Sequence, residues 1–343
     1  MKRASLLGIL LLLFVNSCGP SSVDLTATVE SGVQQTLTAL PTRTATPTST
    51  PTPPPTTTPT ATPTPLGGGG VIAFASGGII TLYDVASGDI TQPDIQFSEE
   101  VSSILGVKDV AVSPDGRKMV FTQSLCPPRQ PGQVYLYCRR DIFSSNIDGS
   151  NVVKLTDTKN VDEDWPVWSP DGTRIAYLSG NKIYIMNADG SEKKRLTKSG
   201  VPELLSAWSP DGQQIAFQAQ LNGNFQIYTI NSDGTGDILQ LTMIKDIGSS
   251  PSWSPDGQKI AFTVFVRRSD ARDIYVMNAD GSDPINLTNG GYLDPSFPTW
   301  SPDGRMIAFV CDGFLCIMNK DGTGLVELNN LFGGDTRPSW YLP

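Results

Sequence analysis

Trp168-Ser169-Pro170-Asp171-Gly172 decides how this chain folds, because it is followed at short intervals by Ile175-Ala176-Tyr177, by Ile183-Tyr184-Ile185-Met186-Asn187, by Ala188-Asp189-Gly190-Ser191 and by Leu196-Thr197. The quartet Ser-Pro-Asp-Gly is turn chemistry. Proline presets φ at the second position, aspartate accepts local backbone N–H groups, and glycine supplies a positive φ. The apolar runs after it are short and rich in β-branched and aromatic residues, and an Asp-Gly between such runs marks a hairpin. The tryptophan ahead of the quartet is large and apolar, suited to filling the wedge between packed sheets.

The same passage recurs. Quartets begin at Ser113, Ser169, Ser209, Ser254 and Ser301, so successive copies lie 40 to 56 residues apart. Val112, Trp168, Trp208, Trp253 and Trp300 precede them. A period in the forties suits a four-stranded propeller blade. A worn sixth copy opens the array, with Val71-Ile72-Ala73-Phe74 as its second strand and Ile80-Thr81-Leu82-Tyr83 as its third. Its missing first strand is supplied by Arg337-Pro338-Ser339-Trp340-Tyr341, a copy of Ser250-Pro251-Ser252-Trp253 and its flanks. The expected fold is all-β: a six-bladed β-propeller of four-stranded antiparallel blades over residues 71–343, closed by the C-terminal strand and preceded by a disordered tether. The acidic turns superficially suggest calcium loops, but the downstream acidic ligand of such a loop is absent and the turn recurs in every blade; they read as structural turns.

The full pattern, W-S-P-D-G-x-x-I-A-F…I-Y-x-M-N-A-D-G-S…L-T, resembles the WD40-like (PD40) repeat of the TolB β-propeller family over residues 71–343. The same repeat type occurs in the N-terminal propellers of prolyl-oligopeptidase-like serine peptidases. Nothing before Val71 resembles the folded domain that the TolB family carries there.

The N-terminus reads as an address. Lys2 and Arg3 precede an apolar run from Leu6 to Val15, so residues 1–17 form a secretion signal too short to span a membrane comfortably. Val15-Asn16-Ser17-Cys18 resembles a bacterial lipobox, which implies that Cys18 is lipidated and becomes the mature N-terminus, anchoring the chain to a bacterial membrane. Within residues 18–40, Leu25, Val29, Val33, Leu37 and Leu40 fall at helical spacing, and one short amphipathic helix is a reading of that stretch. Residues 41–70 are a Thr/Pro-rich linker ending in four glycines, a composition that favours an extended, solvated spacer.

Composition narrows the chemistry. The formal net charge is −9, which disfavours a nucleic-acid partner. The chain contains no histidine, which removes Ser-His-Asp and Cys-His catalysis and His-ligated metals. No G-x-S-x-G or Walker A motif is present. No catalytic residue, metal site or cofactor is assigned. Of the cysteines beyond Cys18, Cys126 and Cys138 flank an insertion in the second blade, and Cys311 and Cys316 flank the equivalent hairpin of the sixth. Export and local spacing point to two disulfides, 126–138 and 311–316, with free thiols the alternative for the second pair.

Function is expected where the repeat breaks down. Three residues before each repeated tryptophan, the ring carries Asp109, Trp165, Leu205, Ser250, Phe297 and Arg337, and neighbouring loops add Glu163, Asp164, Tyr292 and Asp294. These form a candidate rim, aromatic and acidic with one arginine, for a protein, a peptide or an envelope glycan. The quartets are expected on the opposite face. The leading function is a lipid-anchored, extracytoplasmic, non-catalytic binding or scaffold module. The alternatives are a glycan-active hydrolase or lyase using channel carboxylates such as Asp164 with Asp294, and an accessory subunit of a Tol-like envelope complex.

Overall fold

The computed structural model describes residues 69–97, 104–126, 138–198, 200–289, 294–332 and 337–343. The readings of the secretion signal, Cys18, the helix within 18–40 and nearly all of the linker lie outside them. The described residues form six four-stranded antiparallel sheets. Each quartet ends an innermost strand, such as Glu163–Trp168 or Ile247–Trp253, and leads into a second strand, such as Arg174–Ser179 or Lys259–Val266. The second strands lie between neighbouring blades and are covered on both faces. Ile175, Ala176, Ile260, Ala261 and Phe262 are fully buried, which is why these strands read as continuous apolar runs rather than alternating ones. The outer strands are two residues long in five blades, for instance Val153–Lys154 and Ile285–Asn286, so little unpaired edge is presented.

The quartet turns satisfy themselves. In each copy the serine hydroxyl donates to the aspartate carboxylate at 2.5–2.6 Å and accepts the amide five residues on at 2.9 Å. The same carboxylate takes the amide two residues beyond it, which helps hold the Asp171 pKa down to about 2. The second acidic turn works alike, with Asp189 accepting the Ser191 amide at 2.9 Å. These carboxylates are turn caps, as the repeat suggested.

The wedges are filled by the tryptophans. Trp208 packs with Leu178 and Ile183 of the preceding blade and with Ile215 and Phe217 of its own. The ring closes as the repeat count required: Ser339–Tyr341 pairs antiparallel with Val71–Ser76, matching Tyr341 to Val71, Trp340 to Ile72 and Ser339 to Ala73.

Both expected disulfides are present. Cys126 and Cys138 join with Cα atoms 4.1 Å apart, and Cys311 and Cys316 with Cα atoms 5.9 Å apart. The second pair is fully buried among Phe309, Ile307 and Met318. Loop-closure entropy gives the 12-residue separation of the first bridge a stabilisation of roughly 3 kcal/mol. Replacing both Cys126 and Cys138 by serine should therefore lower the urea midpoint and steepen the slope as the unfolded chain loses a cross-link, and an unchanged midpoint would show that the bridge adds nothing.

Candidate binding site in the axial channel

The innermost strands face the ring axis, and five carry the same irregularity. Their pairing with the second strand shifts between Lys108 and Ala111, Asp164 and Val167, Leu204 and Ser206, Ser249 and Ser252, and Ser296 and Thr299. Each is a β-bulge near the third residue before the repeated tryptophan position. Asp109, Trp165, Ser250 and Phe297 sit there with φ of +52°, +57°, +52° and +56°. Left-handed backbone is uncommon for any residue but glycine and unfavourable for one as large as Trp or Phe, at a cost of about 1–3 kcal/mol. A bulge re-aims the side chain it carries. Leu205 occupies the equivalent place in Glu203–Trp208, and Arg337 the equivalent place ahead of Ser339–Tyr341.

Asp109, Trp165 and Arg337 line one cavity of about 460 Å³. Its walls are Trp168, Trp208, Trp253, Trp300 and Trp340, with Ser252, Thr299 and Ser339 between them. The tryptophans thus serve twice, as inter-blade wedges and as channel lining. Trp168 and Trp300 also donate their indole N–H to Ala111 and Ser252 carbonyls of the preceding blade, at 3.3 and 3.2 Å. At one end of the cavity stand Pro114, Pro170, Pro210, Pro255 and Pro302 of the quartets, and Leu342 holds the corresponding place in the first blade. These residues are exposed or half-exposed, so the cavity opens between the quartet turns. The quartets thus stand at the end of the cavity away from Trp165 and Phe297.

The other end is obstructed. Trp165 belongs to the third blade and Phe297 to the sixth, opposite each other in the ring. Their rings nevertheless stack, with centroids 5.6 Å apart and 30° between planes. The pair spans the axis.

Charge is concentrated beside this stack. Burial, reinforced by the neighbouring Asp164 carboxylate, pushes the Asp109 pKa up to about 7 against the opposing pull of Lys108, of the Trp165 amide that donates to it, and of Arg140. Burial against the channel wall draws Arg337 down to about 10, and its guanidinium donates to the Pro251 carbonyl at 3.3 Å. Asp164 is held by a two-pronged contact, Arg140 Nε to Oδ1 at 2.5 Å and Nη2 to Oδ2 at 2.9 Å, and Arg140 also reaches Asp162 at 3.0 Å.

Of the residues singled out in the sequence, Asp109, Trp165, Phe297 and Arg337 converge on the channel. Glu163 does not belong to a rim: it is 1% exposed and accepts the Thr158 hydroxyl at 2.7 Å inside the blade packing. Asp294 pairs with Arg272 at the surface. Tyr292 lies outside the described residues. Asp164 and Asp294 are therefore each committed to an arginine, and neither lines the cavity. The collar of prolines and the lining by tryptophans were not anticipated, although a residue repeated on every innermost strand must converge on the axis.

Residues 166–247 and 234–314 match the family described as TolB beta propeller domain. Residues 166–314 therefore match TolB-type propeller repeats, and the described residues as a whole form a six-bladed propeller. The chain is 37% identical over 73 residues to dipeptidyl-peptidase 5 of Porphyromonas gingivalis, covering 21% of this chain and 10% of that protein. It is 33% identical over 100 residues to the protein TolB homolog of Chlorobaculum tepidum, covering 28% and 23% respectively. The alignments thus span less than a quarter of either curated relative. Among solved structures, TolB from Acinetobacter baumannii superimposes with a TM-score of 0.62 at 22% identity, covering 80% of this chain and 67% of that one, a likeness of fold.

Proposed function

We propose that this TolB-like propeller is a non-catalytic binding module of the cell envelope, exported and lipid-anchored through Cys18 on the tether of residues 18–70, and that it captures a segment of a partner protein in its axial cavity. The observation that carries this reading is the cavity itself. At about 460 Å³ it falls within the range of ligand sites, and like them it is mostly apolar and aromatic with few polar groups. Tryptophan and proline walls favour an extended, weakly hydrated peptide. The likeness to the TolB homolog of Chlorobaculum tepidum agrees with a binding role, whereas the likeness to a dipeptidyl-peptidase raises a hydrolase. Against the glycan-active alternative stand Asp164 and Asp294, the carboxylates it would use, each held by an arginine; the peptidase likeness covers only 10% of that enzyme.

The test is capture from a displayed peptide library and from a glycan array, repeated with Thr299→Trp, which fills the cavity from a half-buried position. Peptides retained by the wild type and lost by at least tenfold in Thr299→Trp are the expected result. Equal capture by both, or capture of glycans alone, would discard the reading.

A further inference from the structure

We propose that the axial cavity receives the free C-terminal end of a partner's peptide chain, and that the Arg337 guanidinium takes the terminal carboxylate at its floor. This rests on the binding reading above and names the chemistry that the captured segment carries. The shape of the cavity points to a chain end. It opens between the quartet prolines, and at its other end Trp165 and Phe297, from opposite blades, stack across the axis with centroids 5.6 Å apart. The cavity is a blind funnel. A chain end enters such a funnel as one extended strand. An internal segment must turn inside and leave by the same mouth, which needs room for two strands roughly 4.8 Å apart. At about 460 Å³ the cavity lies in the lower half of the range of ligand sites, roughly 300–1,000 Å³, which suits one strand better than two.

The chemistry of the floor says which end. Arg337 precedes Trp340 by three residues, as Trp165 precedes Trp168 and Phe297 precedes Trp300, so it stands at the depth of the stack. Its guanidinium reaches away from its own blade and donates to the carbonyl of Pro251, in Ile247–Trp253, at 3.3 Å. Those two blades are not neighbours: the sixth, with Ser296–Trp300 innermost, stands between them. The side chain therefore passes on the axis side of that strand and lies over the floor of the cavity it lines. A guanidinium offers several N–H donors in a planar fork, so it can hold a carbonyl with one edge and grip a carboxylate with another. Among apolar walls such a charge-assisted contact is screened little by salt. The capture of a chain's terminal carboxylate by fixed donors is an established mode of peptide recognition. Asp109, which lines the cavity from Ile104–Val112, would suit an amine instead, but it is the less accessible of the two, 7% exposed beside a half-buried Arg337.

The test presents the full chain with three sets of short random-sequence peptides. One set is tethered by the N-terminus and ends in a free carboxylate, the second is the same with the end amidated, and the third is tethered by the C-terminus and ends in a free amine. The wild type should retain the free-carboxylate set about tenfold more strongly than the amidated one. Arg337→Met should abolish that preference, and Arg337→Lys should keep part of it. Near-ultraviolet circular dichroism reports whether each variant keeps its packed tryptophans, and the acid-against-amide comparison needs no variant at all. Equal retention of acid and amide by the wild type, a preference that survives in Arg337→Met, or retention of the free-amine set alone overturns the inference. Equal retention of acid and amide would leave peptide capture standing, whereas retention of none of the three sets would remove both readings.

Discussion

Replacing Asp109 by asparagine should stabilise the propeller at pH 8 by about 2–4 kcal/mol, an advantage that shrinks toward pH 4. The folded pKa is about 7 against 3.8 for the free side chain. A raised carboxyl pKa means that the folded ring binds a proton the unfolded chain has already released. Its contribution to stability is complete below about pH 4 and is lost progressively until the pH passes about 7. Asparagine mimics the protonated form, still offers an oxygen to the Trp165 amide, and tolerates the φ of +52° better than most residues. Urea unfolding at several pH values measures the effect. A difference between wild type and variant that is constant from pH 4 to about 9 would mean that Asp109 does not titrate in the folded ring.

Trp340→Ala should cost about 3–5 kcal/mol, as removal of a buried aromatic does. Trp340 is 8% exposed and packs on Ile72, Phe74 and Val85 of the first blade and on Met306, Leu315 and Ile317 of the sixth. Its indole N–H donates to the Gly69 carbonyl at 3.3 Å, and its strand is the sole source of the first blade's innermost edge among the described residues. Trp253→Ala is the comparison: that tryptophan is half-buried in its blade and closes no seam. The closing tryptophan should lower the unfolding midpoint more than its counterpart. Equal losses would show that closure adds nothing beyond ordinary wedge packing.

The sequence disclosed the ring because its information is local. A Ser-Pro-Asp-Gly turn is built by atoms within five residues of one another, and the Ile-Ala-Phe strands announce burial on both faces. The seam was legible for the same reason, since Arg337 to Tyr341 repeats a passage whose place in a blade was known. The cavity was legible only in part. Asp109, Trp165, Phe297 and Arg337 stood out because they depart from the repeat at one fixed offset. What they do there depends on a bulge that turns side chains inward and on which blades face each other, neither of which is written in neighbouring residues. Glu163 failed for a related reason: a charged residue in an apparent loop reads as exposed, yet the Thr158 hydroxyl satisfies it in the interior. Likewise Asp164 and Asp294 looked like a free acidic pair because Arg140 and Arg272 come from other strands.

The seam has a topological meaning. Val71 meets Tyr341 at the end of a pairing only three residues long, with Trp340 and Ser339 behind it. The first blade is thus the one blade among the described residues whose innermost strand comes from the far end of the chain, held by three pairs alone, whereas the other five each carry their own.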